Sequence, residues 1–363
     1  MIERRLSSLR QQGSKIPRIV LIGEFQEPYD EGMKNVMRNL ATELSRDNEV
    51  TQLTLSNERH WLFKDRRFNF LSPSLAQQIK ELKPSILHYF PISGITPASF
   101  IRAKVLAGYA QNAKTVVSCL QYSEKNSGLL IRAVPILKPD LILVQSERSS
   151  QVLRAMGIRT AFLPNGVDLE KFSQPRQGGS KEELRKKYGI PDKFVILHVG
   201  HLTDNRNIRA LASLSGGNNL VIVVASTSTR ADNRLLEFLK SKGVVVLRDY
   251  FENIQDIYNL SDCYVFPARN NSSCIEIPLS ILEAMACNLP TISSRFGGLP
   301  DILEEGGGFY FADNIKEVNE KIQQIRNGVE ITNRQKVSGF SWTNVAHQLK
   351  LIYRQVYDGK YSA

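Results

Sequence analysis

Apolar residues fall in two series of short runs, separated by polar turns and by stretches with helical spacing. The first series opens with RIVLIG, ending in Gly23. After the loop EFQEPYDEG, the segment MKNVMRNLATEL places Val36, Met37, Leu40 and Leu44 on one stripe, which predicts a strand–loop–helix unit. The runs SILHYF (85–90), TVVSCL (115–120) and LILVQS (141–146) follow, each preceded by a helical stretch and a polar turn. Nearly continuous apolar strands alternating with helices predict a parallel sheet covered on both faces. A second series repeats the pattern with FVILHVG (194–200), NLVIVVAS (219–226), VVVLRDY (244–250), DCYVFPA (262–268) and LPTISSRF (289–296). The expectation is an α/β chain of two doubly wound parallel-sheet domains in tandem.

Between the series, 173–193 (SQPRQGGSKEELRKKYGIPDK) combines Pro, Gly-Gly and charge, as a linker with one short helix does. The predicted domains are therefore 1–172 and 173–340. The amphipathic tail, 341–358, is expected to pack back on the first domain. Ligands of open parallel sheets bind outside the carboxyl ends of the strands, so the cleft between two such sheets is the expected site.

The 363 residues suit two domains, and 42% hydrophobic with 23% charged residues excludes disordered and fibrous classes. No apolar run approaches the ~18 residues of a membrane span. The segment MIERRLSSLRQQGSKIPR lacks the apolar core of a secretory signal, so a cytoplasmic protein is expected. Cys119, Cys263, Cys274 and Cys287 form no C-x-x-C pair and the five histidines no H-x-x-x-H pair, so no metal site is expected. The net charge of +11 is uneven: residues 1–180 hold 25 Lys+Arg against 16 Asp+Glu, the remainder 22 against 20. A basic first half points to an anionic partner there.

Three segments carry candidate chemistry. In the turn after FVILHVG, Gly200 allows a sharp bend, and His201 and Arg206 stand where they could meet a diphosphate. In 274–303, Pro278 near a helix start, followed by Ser280, Glu283, Ala284 and Met285, predicts a helix whose first turn offers unpaired N–H groups to an anion. Glu283 there could accept hydrogen bonds from a ribose or simply favour the helix dipole. Leu163-Pro164-Asn165-Gly166-Val167-Asp168 carries the Asn-Gly signal of a tight turn.

In this order, KPDLILVQS (138–146), PNGVD (164–168), HVGHL (198–202) and LEAMACNLP with GGLPDIL (282–303) resemble the family-4 retaining glycosyltransferases of the GT-B fold. The likeness covers the second domain well and the first weakly. It implies two Rossmann-like domains facing a cleft, a nucleotide-diphosphate sugar on the second domain, an acceptor on the first, and a last helix that crosses back. On the donor side it implicates Gly200, Ile277, Pro278, Leu279 and Ser280, with Asp249, Tyr250 and Phe251 near the base. On the acceptor side it implicates Glu31, Gly32, His88 and Gln121.

The chain also departs from the family pattern. His201 takes an arginine position and Arg206 a lysine position. Ile275 stands where the first of two paired glutamates belongs, with Glu276 one residue on as its substitute; Leu120 or Gln121 replaces a histidine. The glycine loop keeps only Gly32, preceded by Glu31. The resemblance implies front-face transfer without Mg²⁺, catalysed by Arg206, Glu283, His201 and Glu276, with the leaving diphosphate stabilised by protein groups. The acceptor would be a saccharide or a lipid-linked saccharide.

A further segment, 59–70, interleaves Arg59, His60, Lys64, Arg66 and Arg67 with Trp61, Phe63, Phe68 and Phe70, a mixture that fits an anionic bilayer surface. No nucleic-acid signature accompanies it. Two rival readings stay open: a silent GT-B nucleotide-binding scaffold, for which the departures argue, and a GT-B sugar epimerase.

Overall fold

A computed structural model describes residues 16, 18–25, 31–55, 66–91, 94–122, 136–175, 180–227, 232–270 and 273–361. Two parallel six-stranded sheets form the frame. The first comprises β1 (Ile19–Gly23), β2 (Val50–Thr54), β3 (Ile86–Tyr89), β4 (Lys114–Cys119), β5 (Leu141–Val144) and β6 (Thr160–Phe162), in the order β2-β1-β3-β4-β5-β6. The second comprises β7 (Phe194–Gly200), β8 (Asn219–Ala225), β9 (Val245–Leu247), β10 (Cys263–Phe266), β11 (Thr291–Ser293) and β12 (Phe309–Phe311), in the order β12-β11-β10-β7-β8-β9. Both are doubly wound, with strand order reversing between β1 and β3 and between β7 and β10.

Alternation along each strand feeds two cores per sheet, because successive side chains leave a strand on opposite faces. In β1, Ile19 and Leu21 join one cluster, Val20 and Ile22 the other. The helix α1 (Gly32–Leu44) turns Val36, Met37, Leu40 and Leu44 into the first of these clusters. Among the described residues, β2, β6 and β12 are elements the apolar pattern does not predict; all three are sheet edges, and two have three residues.

Three more helices frame the cleft: α2 (Glu147–Ala155) follows β5, α3 (Leu279–Ala286) follows β10, and α4 (Trp342–Tyr357) ends the fold. α4 lies against the first sheet, placing Trp342, Val345, Leu349, Ile352, Tyr353 and Val356 in the same cluster as Ile19 and Leu21. Its entry is pinned where Val167 N–H donates to Phe340 O at 2.8 Å. Gly166 is absent from the positive-φ glycines; its need is space, since a Cβ would lie 2.5 Å from Trp342 Cδ2. This corrects the tight-turn reading of Asn-Gly. Gly166→Ala is expected to lower stability by about 1–3 kcal/mol through overpacking against Trp342. Chemical denaturation checks this, and an unchanged midpoint would contradict it.

Among the described residues, no helix is long and apolar enough to cross a membrane. Arg59, Trp61 and Phe63 lie outside the described residues. The backbone of Arg66 and Arg67 opens a 3₁₀ turn, Arg66–Leu71.

Candidate active site

Several of the residues singled out in the sequence lie near the strand reversal of the second sheet, between β7 and β10. On the second domain, β7 ends at Gly200 and the chain makes a short 3₁₀ turn, Asp204–Arg206. Arg206 is 7% exposed and lays its guanidinium over Gly200, where a Cβ would collide with Nη1. Its Nε donates to the Ser273 carbonyl at 3.2 Å, and among the described residues it has no carboxylate at salt-bridge distance. A buried cation without a counter-ion is costly unless a ligand supplies the anion. Beyond the Ser273 loop, α3 begins at Leu279 after Pro278, and no side chain caps its first turn. Its amides and Arg206 thus offer an anion site on neighbouring segments.

His198, which sequence reading passed over, lies in the interior of β7. Its Nδ1 faces the Val265 carbonyl at 2.9 Å; a carbonyl only accepts, so this nitrogen carries the hydrogen and Nε2 a bare lone pair. Burial pushes its pKa down to about 4, and the nearby Arg206 charge acts in the same direction, so the ring is neutral at physiological pH. Among the described residues, Nε2 and the Ser273 hydroxyl are buried without a hydrogen-bond partner, and Nε2 would lie 3.3 Å from a Cβ on Gly200. The only signal in the sequence was a polar ring inside an apolar strand.

Other predicted residues take varied places. His201 is half-buried on the turn, its carbonyl accepting from Thr203 N–H. Ser280, in the first turn of α3, receives a hydrogen bond from the Tyr264 hydroxyl at 2.7 Å. Glu283 lies one turn further along, mostly buried, and accepts from the Tyr258 hydroxyl at 2.8 Å. Burial raises its pKa to about 7. Asp249, Tyr250 and Phe251 follow the edge strand β9; Asp249 and Tyr250 are exposed, and Asp249 accepts from Tyr250 N–H.

Two expectations need correction. His88 does not face the acceptor: it is fully buried, its ring nitrogens paired with the hydroxyls of Tyr353 (2.5 Å) and Ser118 (2.8 Å), tying α4 to the sheet. Glu276 does not replace the carboxylate missing at Ile275. It is 4% exposed and accepts from the hydroxyls of Ser146 (3.1 Å) and Ser149 (2.5 Å), at the start of α2.

Glu276 instead belongs to a polar seam joining the domains. Its N–H donates to Leu120 O at 2.8 Å, and Ile277 N–H donates to Gln145 Oε1 at 3.3 Å. Asn165 Nδ2 donates to Ile277 O at 2.6 Å, and Gln145 Nε2 to Asn165 Oδ1 at 2.5 Å. Asp301 closes the seam by accepting from Glu147 N–H. Gly32 opens α1 opposite Ile275, and Gln121 lends its carbonyl to Ile95 N–H. Glu31, Glu24, Lys34 and Leu120 line a small pocket beside them.

Burial also raises the Glu276 pKa to about 7, opposed by its two serine hydrogen bonds. Both glutamates hold protons more tightly folded than at their ordinary 4.5, so the stability they contribute is full below about 4.5 and lost as pH rises toward 7. His88 and His198, depressed by burial to about 3 and 4, act with the opposite sign below 6.5. Comparing Glu276→Gln and Glu283→Gln with the parent isolates the glutamate contribution. Each variant is expected to lose less stability than the parent between pH 5 and 8 in denaturant titrations; parallel profiles would refute the assignment.

A separate surface depression of the second domain lies away from this site, at the N-terminal edge of its strands beside Lys181, Phe194, Asp262 and Pro290. Among the described residues, no group of three His, Cys, Asp or Glu side chains could hold a metal ion.

The architecture has close structural counterparts. The chain aligns over 94% of its length with all of sucrose-phosphate synthase from Thermosynechococcus elongatus, at TM-score 0.74 and 17% identity. It aligns over 93% with the whole of Anabaena Alr3699/HepE, solved in complex with UDP, at TM-score 0.70 and 14% identity. These likenesses define the class by fold: two Rossmann-like domains in the GT-B arrangement. In sequence, residues 180–339 match the family of glycosyl transferases group 1. Sulfoquinovosyl transferase SQD2 of Arabidopsis thaliana is 24% identical over 271 residues, covering 70% of this chain and 52% of the relative. The chain spans little more than half the length of the curated relatives it matches first, 52–59%.

Proposed function

We propose that the protein transfers a glycosyl group, with retention of configuration, from a nucleotide-diphosphate sugar to a saccharide or lipid-linked acceptor on the basic first domain. The observation that carries this reading is the buried Arg206, without a carboxylate partner among the described residues, beside the uncapped start of α3 at the strand reversal of the second sheet. The UDP complex of the structural relative and the group 1 match support a nucleotide-sugar donor. In the reaction, the bond from C1 to the diphosphate oxygen breaks and the acceptor oxygen bonds C1 on the same face. The acceptor proton passes to the departing oxygen. Arg206 and the α3 amides take up the negative charge that develops there, so no metal ion is required. Glu283, with one oxygen on Tyr258, is positioned to accept from the ribose.

The test is a panel of UDP-, GDP- and ADP-sugars, with and without EDTA and anionic vesicles, followed by thermal stabilisation and nucleotide release. One donor is expected to stabilise the protein and to turn over in EDTA, giving a product of unchanged anomeric configuration. Inversion would overturn retention, and loss of turnover in EDTA would overturn metal independence. The replacements at Ile275 and Leu120 favour a second reading, a silent nucleotide-binding scaffold, which predicts stabilisation without turnover.

A further inference from the structure

His198 holds a place where an apolar residue would serve the sheet as well. It sits in β7, FVILHVG, whose Val195, Ile196 and Leu197 are fully buried with it. Two aromatic rings fix its plane: Tyr264 stacks on it at 6.2 Å and 19°, and Phe266 lies tilted against it at 6.0 Å and 34°. Nδ1 is engaged by the Val265 carbonyl, which leaves Nε2 a buried acceptor with no partner among the described residues. An unmade bond of this kind costs stability, and only a donor can make it.

The donor that shares its corner is the Arg206 guanidinium. A Cβ on Gly200 would collide with Arg206 Nη1 and lie 3.3 Å from His198 Nε2, so the two nitrogens flank one point. Arg206 Nε is held by the Ser273 carbonyl at 3.2 Å, and a second bond, at Nη1, would fix the guanidinium plane that one contact leaves free to swing. Burial and the Arg206 charge keep the ring neutral, so it stays an acceptor and not a second cation. We propose that His198 is a positioning residue: its Nε2 accepts from Arg206 Nη1 when a diphosphate is bound and holds the guanidinium toward the leaving oxygen. The inference rests on the donor reading above and deepens it. Bonds of this kind are often long in a ligand-free enzyme and tighten in the complex.

A mutant cycle tests it. In His198→Asn the amide stands in for Nδ1 and no acceptor remains at Nε2. It is expected to lower kcat on the order of 10- to 100-fold, the scale of a slightly misplaced group, with little change in donor KM. His198→Gln, which brings an amide oxygen to the Nε2 position, should recover most of the loss. In the Arg206→Ala background His198→Asn should cost less than about twofold, because no guanidinium is left to orient. A ring that only packs would cost the same factor in both backgrounds and would not be rescued by glutamine; that result overturns the inference while the transferase reading stands. Nitrogen NMR of histidine-labelled parent protein gives a readout without turnover or variants. The Nε2 signal of His198 should shift on adding UDP, GDP or ADP, and a nucleotide that binds without moving it also overturns the inference. If no nucleotide binds, both readings fall.

Discussion

Arg206→Ala is expected to lower kcat/KM for the donor by about 10²–10³-fold, the scale of losing one oriented donor to a developing oxyanion. The argument rests on what surrounds the guanidinium. It is buried beside a neutral His198, bonded through Nε to a peptide carbonyl, and without a described carboxylate partner. Its charge has already been desolvated in the folded protein, so it needs little rearrangement when a diphosphate arrives. The charge on the leaving oxygen grows toward the transition state, so the loss should fall more on kcat than on donor KM. Arg206→Lys should recover part of the rate, since it keeps the charge but loses the planar fork. Stability should survive, because removing a buried unpaired cation also removes its desolvation cost. Steady-state kinetics with denaturant titrations checks each point; a loss confined to acceptor KM would exclude the role.

Gly298→Ala is expected to cut turnover on the order of 10²-fold by spoiling the alignment of the domains, with a stability loss of about 1–3 kcal/mol. Gly298 has φ −89°, an ordinary value, so alanine meets no backbone penalty. What it meets is the Gln145 carbonyl oxygen of the first domain, with which its Cβ would overlap, and Ile277 Cγ1 at 3.3 Å. Gly298 N–H also donates to Glu276 O at 2.9 Å, so displacement is passed directly into the loop before α3. Gly108→Ala is the control, as a Cβ there touches nothing within 4 Å. Parental turnover in Gly298→Ala would mean that the seam does not position the site.

Much of the frame was legible because burial on both faces forces strands to be nearly all apolar. β1, β3, β5, β7, β8, β9, β10 and β11 fall within the predicted runs, and β4 begins one residue before its run. The edge strands β6, β12 and β2 were not: β6 (TAF) and β12 (FYF) are three-residue edges whose last or middle residue is only partly buried, and β2, VTQLT, keeps only one fully buried residue. Arg206 and the helix after Pro278 could be found because a glycine turn and a helix start are local events. The place of Glu276 could not. In an extended segment a shift of one residue sends the side chain to the other side, and here it sends Ile275 toward Gly32 and Glu276 toward Ser149.

The sequence by itself determined two doubly wound sheets, the turn that carries Arg206 and the helix start after Pro278, since periodicity, turns and helix starts are written in neighbouring residues. Only the tertiary structure decided that His88 is a buried tie to Tyr353, that Glu276 joins the domains, and that Ile275 meets the cluster of Leu120. These contacts join residues up to 265 positions apart. They depend on how two separately formed sheets come together, which no local pattern along the chain encodes.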